Sequence, residues 1–131
     1  MSLTSLDTNI VLRLILSDIP AQSAKAAEYI ATSSCYITDV VVAESVYVLE
    51  RVYKFDRDYI TALMTILFKL ETVAYSEDVV KMAFTFYKNF RALSFADCYS
   101  LAEARTSKND LITFDRKLIK KGGATAKEPQ K

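Results

Sequence analysis

The chain has no histidine and no tryptophan, and only two cysteines, two glycines and two prolines in 131 residues. Without histidine, the usual zinc ligand sets and every triad or dyad that uses imidazole as base are excluded. Cys35 and Cys98 form neither a CxxC pair nor a Cys/His cluster. Both thiols are expected to pack in the core of a reduced protein. Neither sign of charge dominates: 17 basic residues stand against 16 acidic ones, a net charge of +1. No overall field draws the chain towards nucleic acid or membrane, so polyanion binding must come from local patches. No apolar run approaches the ~20 residues of a membrane span. Asp7 interrupts the first apolar stretch before a signal-like core can form. The expectation is a cytoplasmic protein with no membrane partner.

What is present is a packed globule. Hydrophobic residues make up 51% of the chain, and 11% is aromatic, which argues against disorder. The length suits one domain, expected over residues 1–126 with a frayed tail at 127–131. The chain is organised around residues 2–16. A short run over 3–6, bounded by the apolar Leu3 and Leu6, ends in Asp7, Thr8 and Asn9 follow, and a second apolar run covers 10–16 with one charge, Arg13. This pattern predicts a buried strand, a tight polar turn and the opening of a helix. Ligands in open α/β sheets bind at the carboxyl ends of strands, where Asp7 would sit. A helix N-cap is the competing role for Asp7.

Further along, Pro20 opens an alanine-rich helix over 21–32, with Ala24, Ala27, Ile30 and Ala31 on one face. Residues 35–37 read as a second strand, and Thr38 and Asp39 as the cap of a long helix over 40–53. Val42, Val46, Leu49 and Tyr53 fall on one face of that helix. Glu44 lies in its second turn, among valines. Asp56 caps a helix over 57–70, and residues 72–74 form a third strand. Ser76, Glu77 and Asp78 start another helix, striped by Val79, Val80, Ala83, Phe84 and Tyr87. Ser94 and Asp97 match a capping box for a helix to about Thr106. Residues 110–113 read as a fourth strand, Asp115 as the cap of a short helix over 116–119, and 124–127 as a weak edge strand. The order β-α-α-β-α-α-β-α-α-β-α-β predicts an α/β fold, with a parallel sheet of four or five strands and helices on both faces. The helices over 40–53 and 76–90 carry more apolar surface than one sheet face covers, which predicts a homodimer.

Asp7 and Asp115 each lie just beyond a predicted strand, and Glu44 and Asp97 each lie in the first two turns of a helix. All four are therefore expected at the carboxyl edge of one sheet. Like charges ~4 Å apart at an effective dielectric of ~20 cost ~4 kcal/mol per pair. Such a cluster needs a cation or shared protons, and hard divalent ions favour oxygen ligands. The residues point to a Mg²⁺ or Mn²⁺ site that activates water and clamps a phosphate. For each acid a capping or solvated role remains the structural alternative.

The motifs at residues 6–9, Glu44, residues 94–97 and residues 111–115, in this order and spacing, resemble the PIN domain. The length resembles that of the VapC-type toxins of toxin–antitoxin pairs. The resemblance covers nearly the whole chain and implies a three-layer PIN-like sandwich. It implies that Asp7, Glu44, Asp97 and Asp115 bind Mg²⁺ or Mn²⁺ and carry catalysis, with Asn9 and Thr113 supporting them by hydrogen bonds. It further implies endonucleolytic cleavage of RNA, a small antitoxin partner and a second copy of the chain. Asp39 stands where relatives often carry a serine. Arg116 and Lys117, next to Asp115, are candidates for contact with the RNA backbone. The alternatives are an RNA-processing PIN nuclease outside a toxin system and a non-catalytic PIN-like scaffold. A haloacid-dehalogenase-type hydrolase would need a second acid where Asn9 stands. A receiver-like phosphoacceptor would need paired acids near the first strand and a late lysine.

Overall fold

The computed structural model describes residues 2–130. Its chain divides at Ser76 into two compact units. Lys131, one of the basic residues at the carboxyl terminus, lies outside the described residues.

The first unit alternates strands with helix pairs. Its elements are β1 (Thr4–Ser5), α1 (Thr8–Leu16), α2 (Pro20–Thr32), β2 (Cys35–Tyr36), α3 (Asp39–Arg51), α4 (Arg57–Phe68) and β3 (Val73–Ala74). Each strand-to-strand connection carries two helices, which is the length a parallel crossover needs. β1 pairs β2 with Thr4 opposite Cys35, and β2 pairs β3 with Cys35 opposite Val73, both in parallel. Main-chain bonds from Leu6 N to Tyr36 O and from Ile37 N to Ala74 O, both 3.0 Å, carry the pairing one residue past the strand ends. Leu6, Val11, Ile30, Cys35, Ile37, Val42, Val46, Leu49, Ile60 and Met64 are buried. Burial at positions 42, 46 and 49 is the helical spacing expected of α3. In α2 the buried residues are Ala26 and Ile30, four apart, while Ala24, Ala27 and Ala31 are exposed. So many alanines give the helix little side-to-side contrast, and the sequence does not fix its inner face.

The second unit holds α5 (Glu77–Asn89), α6 (Phe95–Thr106), β4 (Leu111–Ile112), α7 (Arg116–Gly122) and β5 (Ala126–Lys127). α5 and α6 pack through aromatic rings. Phe95 lies 4.9 Å from Phe84 and 5.4 Å from Tyr87, centroid to centroid. β4 pairs β5 in parallel, with Leu111 opposite Ala126. The weak edge strand is therefore real, and it includes Lys127, whose ammonium meets Asp110 at 3.3 Å.

The fold is mixed α/β with seven helices among the described residues, and its strands pair as a three and a two rather than as one ladder of four or five. Each strand is only two residues long, so a ladder ends after a few hydrogen bonds. The α5 stripe packs within the chain. Val80, Ala83, Phe84, Phe86 and Tyr87 are all buried. Exposed apolar residues include Val40 and Tyr47 on α3 and Tyr59 and Ile66 on α4, beside others such as Ile10 of α1 and Phe114. Cys35 and Cys98 are buried, and no disulfide forms among the described residues.

Candidate functional site

Asp7 lies one residue beyond the end of β1, after Leu6, and occupies the N-cap position of α1, with extended backbone (φ −78°, ψ 160°). Its carboxylate accepts no hydrogen bond from the helix it opens. The backbone at this position is that of a cap, but the side chain does not cap. Its carboxylate is left for other chemistry.

Thr8, the next residue, is buried, and its hydroxyl donates to Oε1 of Glu44. That bond joins the first turn of α1 to the second turn of α3. Glu44 itself is exposed. α3 is set in place by its own cap: Thr38 Oγ1 accepts the Val41 amide at 3.3 Å. Asp39, in the first turn, leaves the cap to Thr38. Beside Glu44, Ser45 is fully buried and its hydroxyl has no hydrogen-bond partner among the described residues. The first unit thus links the residue after Asp7 to Glu44 through the Thr8 hydroxyl. The sequence does not single out Thr8. A threonine in a turn carries no sign of a partner 36 residues away.

In the second unit both acids hold helix starts. Ser94 Oγ accepts the Asp97 amide at 3.1 Å, and Asp97 Oδ2 accepts the Ser94 amide at 3.4 Å, a complete capping box. Asp115 Oδ1 accepts the amides of Lys117 at 2.8 Å and Leu118 at 3.3 Å. Thr113 Oγ1 accepts the Asp115 amide at 2.9 Å, which fixes the turn between β4 and α7. Each carboxylate uses one oxygen in this way. The other, Oδ1 of Asp97 and Oδ2 of Asp115, accepts no hydrogen bond from the described residues. Capping and ligation are therefore compatible in these two acids. Arg116 and Lys117 extend exposed from the first turn of α7.

Asn9 makes no capping bond. It lines a cavity between α1 and α2, together with Arg13 and Lys25.

The donor set suits a hard cation: carboxylate oxygens, with no thiolate or imidazole nearby. Within either unit, no three acids or cysteines stand close enough together to form a metal-binding group among the described residues. Asp7 makes no side-chain bond to the helix it opens, and Glu44 is held by a hydroxyl. Mg²⁺ is usually held by few carboxylates, with water completing its shell.

The chain matches the family model of the PIN domain over residues 5–124, a span that covers both units. No curated protein matches it.

Proposed function

The chain belongs to the PIN domain family, whose members are generally nucleases, and from that premise we propose that it is a metal-dependent endoribonuclease acting as the toxin of a toxin–antitoxin pair. The observation that carries this reading is the state of Asp7. It stands at a helix start, yet its carboxylate is not spent on the helix, and the neighbouring Thr8 holds Glu44. A carboxylate kept out of its usual structural role at a strand's carboxyl end is available to a ligand.

We assign metal binding and catalysis to Asp7, Glu44, Asp97 and Asp115. A bound Mg²⁺ or Mn²⁺ supplies charge against the phosphate and makes water a better nucleophile at neutral pH. The chain's own residues do the positioning. Thr8 restricts the Glu44 carboxylate. The Ser94 box and the Thr113 bond hold the backbones of Asp97 and Asp115. Asn9 supports the site from α1, and Arg116 and Lys117 offer cationic groups to the RNA backbone. Because the family match crosses both units, we take them as parts of one PIN-like domain over 1–126. The exposed apolar residues of α3 and α4 are the surface we assign to the antitoxin and to a second copy of the chain.

The test mixes purified protein with single-stranded RNA, in Mn²⁺ or in chelator, for the wild type and Asp7→Asn. Expected is metal-dependent cutting by the wild type alone, together with a rise in melting temperature on adding Mn²⁺. Equal cutting by both proteins would mean a contaminating nuclease. No cutting and no thermal shift would leave a non-catalytic scaffold.

A further inference from the structure

Between α1 and α2 lies a cavity of about 760 Å³. Its size falls within the range that holds a small organic ligand. It begins at Ser5 and Leu6, the two residues before Asp7, and Asn9, Ile10 and Arg13 of α1 form one wall. Gln22, Lys25 and Tyr29 of α2 form the other. No acid lines it.

Three features give this cavity a chemistry. First, its charge is positive. Asp18 meets Nη1 of Arg13 at 3.4 Å, but Nε is buried with no hydrogen-bond partner among the described residues. Lys25 is exposed and forms no ion pair among the described residues. Second, the Tyr29 ring is a fixed wall, because its hydroxyl donates to Thr4 Oγ1 at 2.9 Å and ties α2 to β1. Ser23 Oγ donates to Arg13 O at 2.7 Å and adds a second tie between the two helices. Third, the amides of Asn9 and Gln22 each present a donor and an acceptor, as the edge of a nucleobase does.

We propose that this cavity is a subsite for one nucleotide of single-stranded RNA beside the scissile phosphate, with its base on Tyr29 and its phosphate facing Lys25 and Arg13. The inference deepens the ribonuclease reading and rests on it for the identity of the strand. An aromatic face with a cation beside it is how single strands are held without a sequence code, and side-chain amides add preference among bases. Leu6 and Asn9, which flank Asp7 and Thr8 in the chain, both line the cavity, so it lies against the start of α1. A carboxylate-rich peptide would satisfy the cations, but it would leave the flat ring and the two amides unused.

The experiment measures binding without cleavage. A labelled single-stranded RNA of mixed sequence is titrated in chelator at several salt concentrations, against the wild type, Lys25→Gln and Tyr29→Leu. Both residues are exposed, and melting curves verify that the variants fold. Expected is roughly tenfold weaker binding for Tyr29→Leu, with an unchanged salt slope. Lys25→Gln should also weaken binding and lower the slope of log K against log salt by about 0.7. In Mn²⁺, both variants should raise KM and leave kcat in place. Wild-type affinity and slope in Lys25→Gln would overturn the proposal, even if cleavage is normal. So would Lys25-dependent binding of a polyglutamate peptide alongside Lys25-independent binding of RNA. Binding that depends on Lys25 and Tyr29, in a chain that never cuts RNA, would uphold the subsite and reject the nuclease reading.

Discussion

The hydroxyl of Thr8 donates to Oε1 of Glu44 and so couples the residue next to Asp7 to an acid on a different helix. Glu44 is exposed, so without this bond its side chain would sample many rotamers in water. Thr8→Val keeps the buried shape and removes only the donor. The expected stability loss is about 1 kcal/mol, since a neutral donor to a carboxylate is replaced by packing. The expected loss of Mn²⁺ affinity is larger in effect, about 10- to 100-fold, as for other groups that orient a metal ligand. Urea unfolding and a metal titration of the same variant check this pair. Equal, small effects on both would reduce Thr8 to a packing residue.

Asp7 and Asp115 stand at the same kind of place and behave differently. Asp115 accepts two amides of α7, whereas Asp7 accepts none from α1. Asp115→Ala should therefore cost about 1 kcal/mol through the missing cap. Asp7→Ala should cost no cap energy and should abolish cleavage. Paired thermal melts in chelator, beside the cleavage assay, decide it. A destabilisation in Asp7→Ala as large as in Asp115→Ala would return Asp7 to an ordinary capping role.

Much of this is legible in the sequence, and the reasons for the rest are physical. The order of the twelve elements among the described residues follows from apolar runs, caps and turn residues, because these are local signals. The capping box at Ser94 and Asp97 is of this kind. An acid after a strand marks a candidate site, but its side-chain partner is not local information. Asp7 and Asp115 look alike in the sequence, and only the structure shows that one caps and the other does not. The bond from Thr8 to Glu44 depends on how α1 meets α3. Strand partnership is likewise a long-range matter, so one sheet of four or five strands is the natural expectation where the ladders hold three and two. The α5 stripe reads correctly as apolar, but periodicity cannot say whether such a face is buried within its own chain or against a second copy.

The first turn of α7 carries Arg116 and Lys117, both exposed, directly after Asp115. If they face the RNA backbone, Arg116→Gln with Lys117→Gln should weaken binding to all sequences alike. The salt slope should fall by about 0.7 for each phosphate of a single strand that is no longer neutralised. Anisotropy titrations at several salt concentrations, with two unrelated RNA sequences, measure both effects. An unchanged slope would remove α7 from the interface.

Gly122 ends α7, and its hydrogen faces β5. A Cβ built there would lie 2.5 Å from the Cβ of Ala126 and 3.1 Å from Cδ1 of Leu101. The leucine methyl can turn away, but Ala126 Cβ is fixed to the backbone of β5 and is buried. Two effects of Gly122→Ala oppose each other. Alanine favours a helical position by about 1 kcal/mol over glycine. Overpacking against a fixed neighbour costs about 1–3 kcal/mol and would push β5 off β4. The short distance to a backbone-tethered atom makes the second effect the larger. Gly122→Ala should therefore lower the melting temperature. Adding Ala126→Gly removes the atom it meets, and in that background Gly122→Ala should become neutral or stabilising. Urea unfolding of the two single variants and the double variant closes the cycle. A single variant as stable as the wild type would mean that β5 yields without cost.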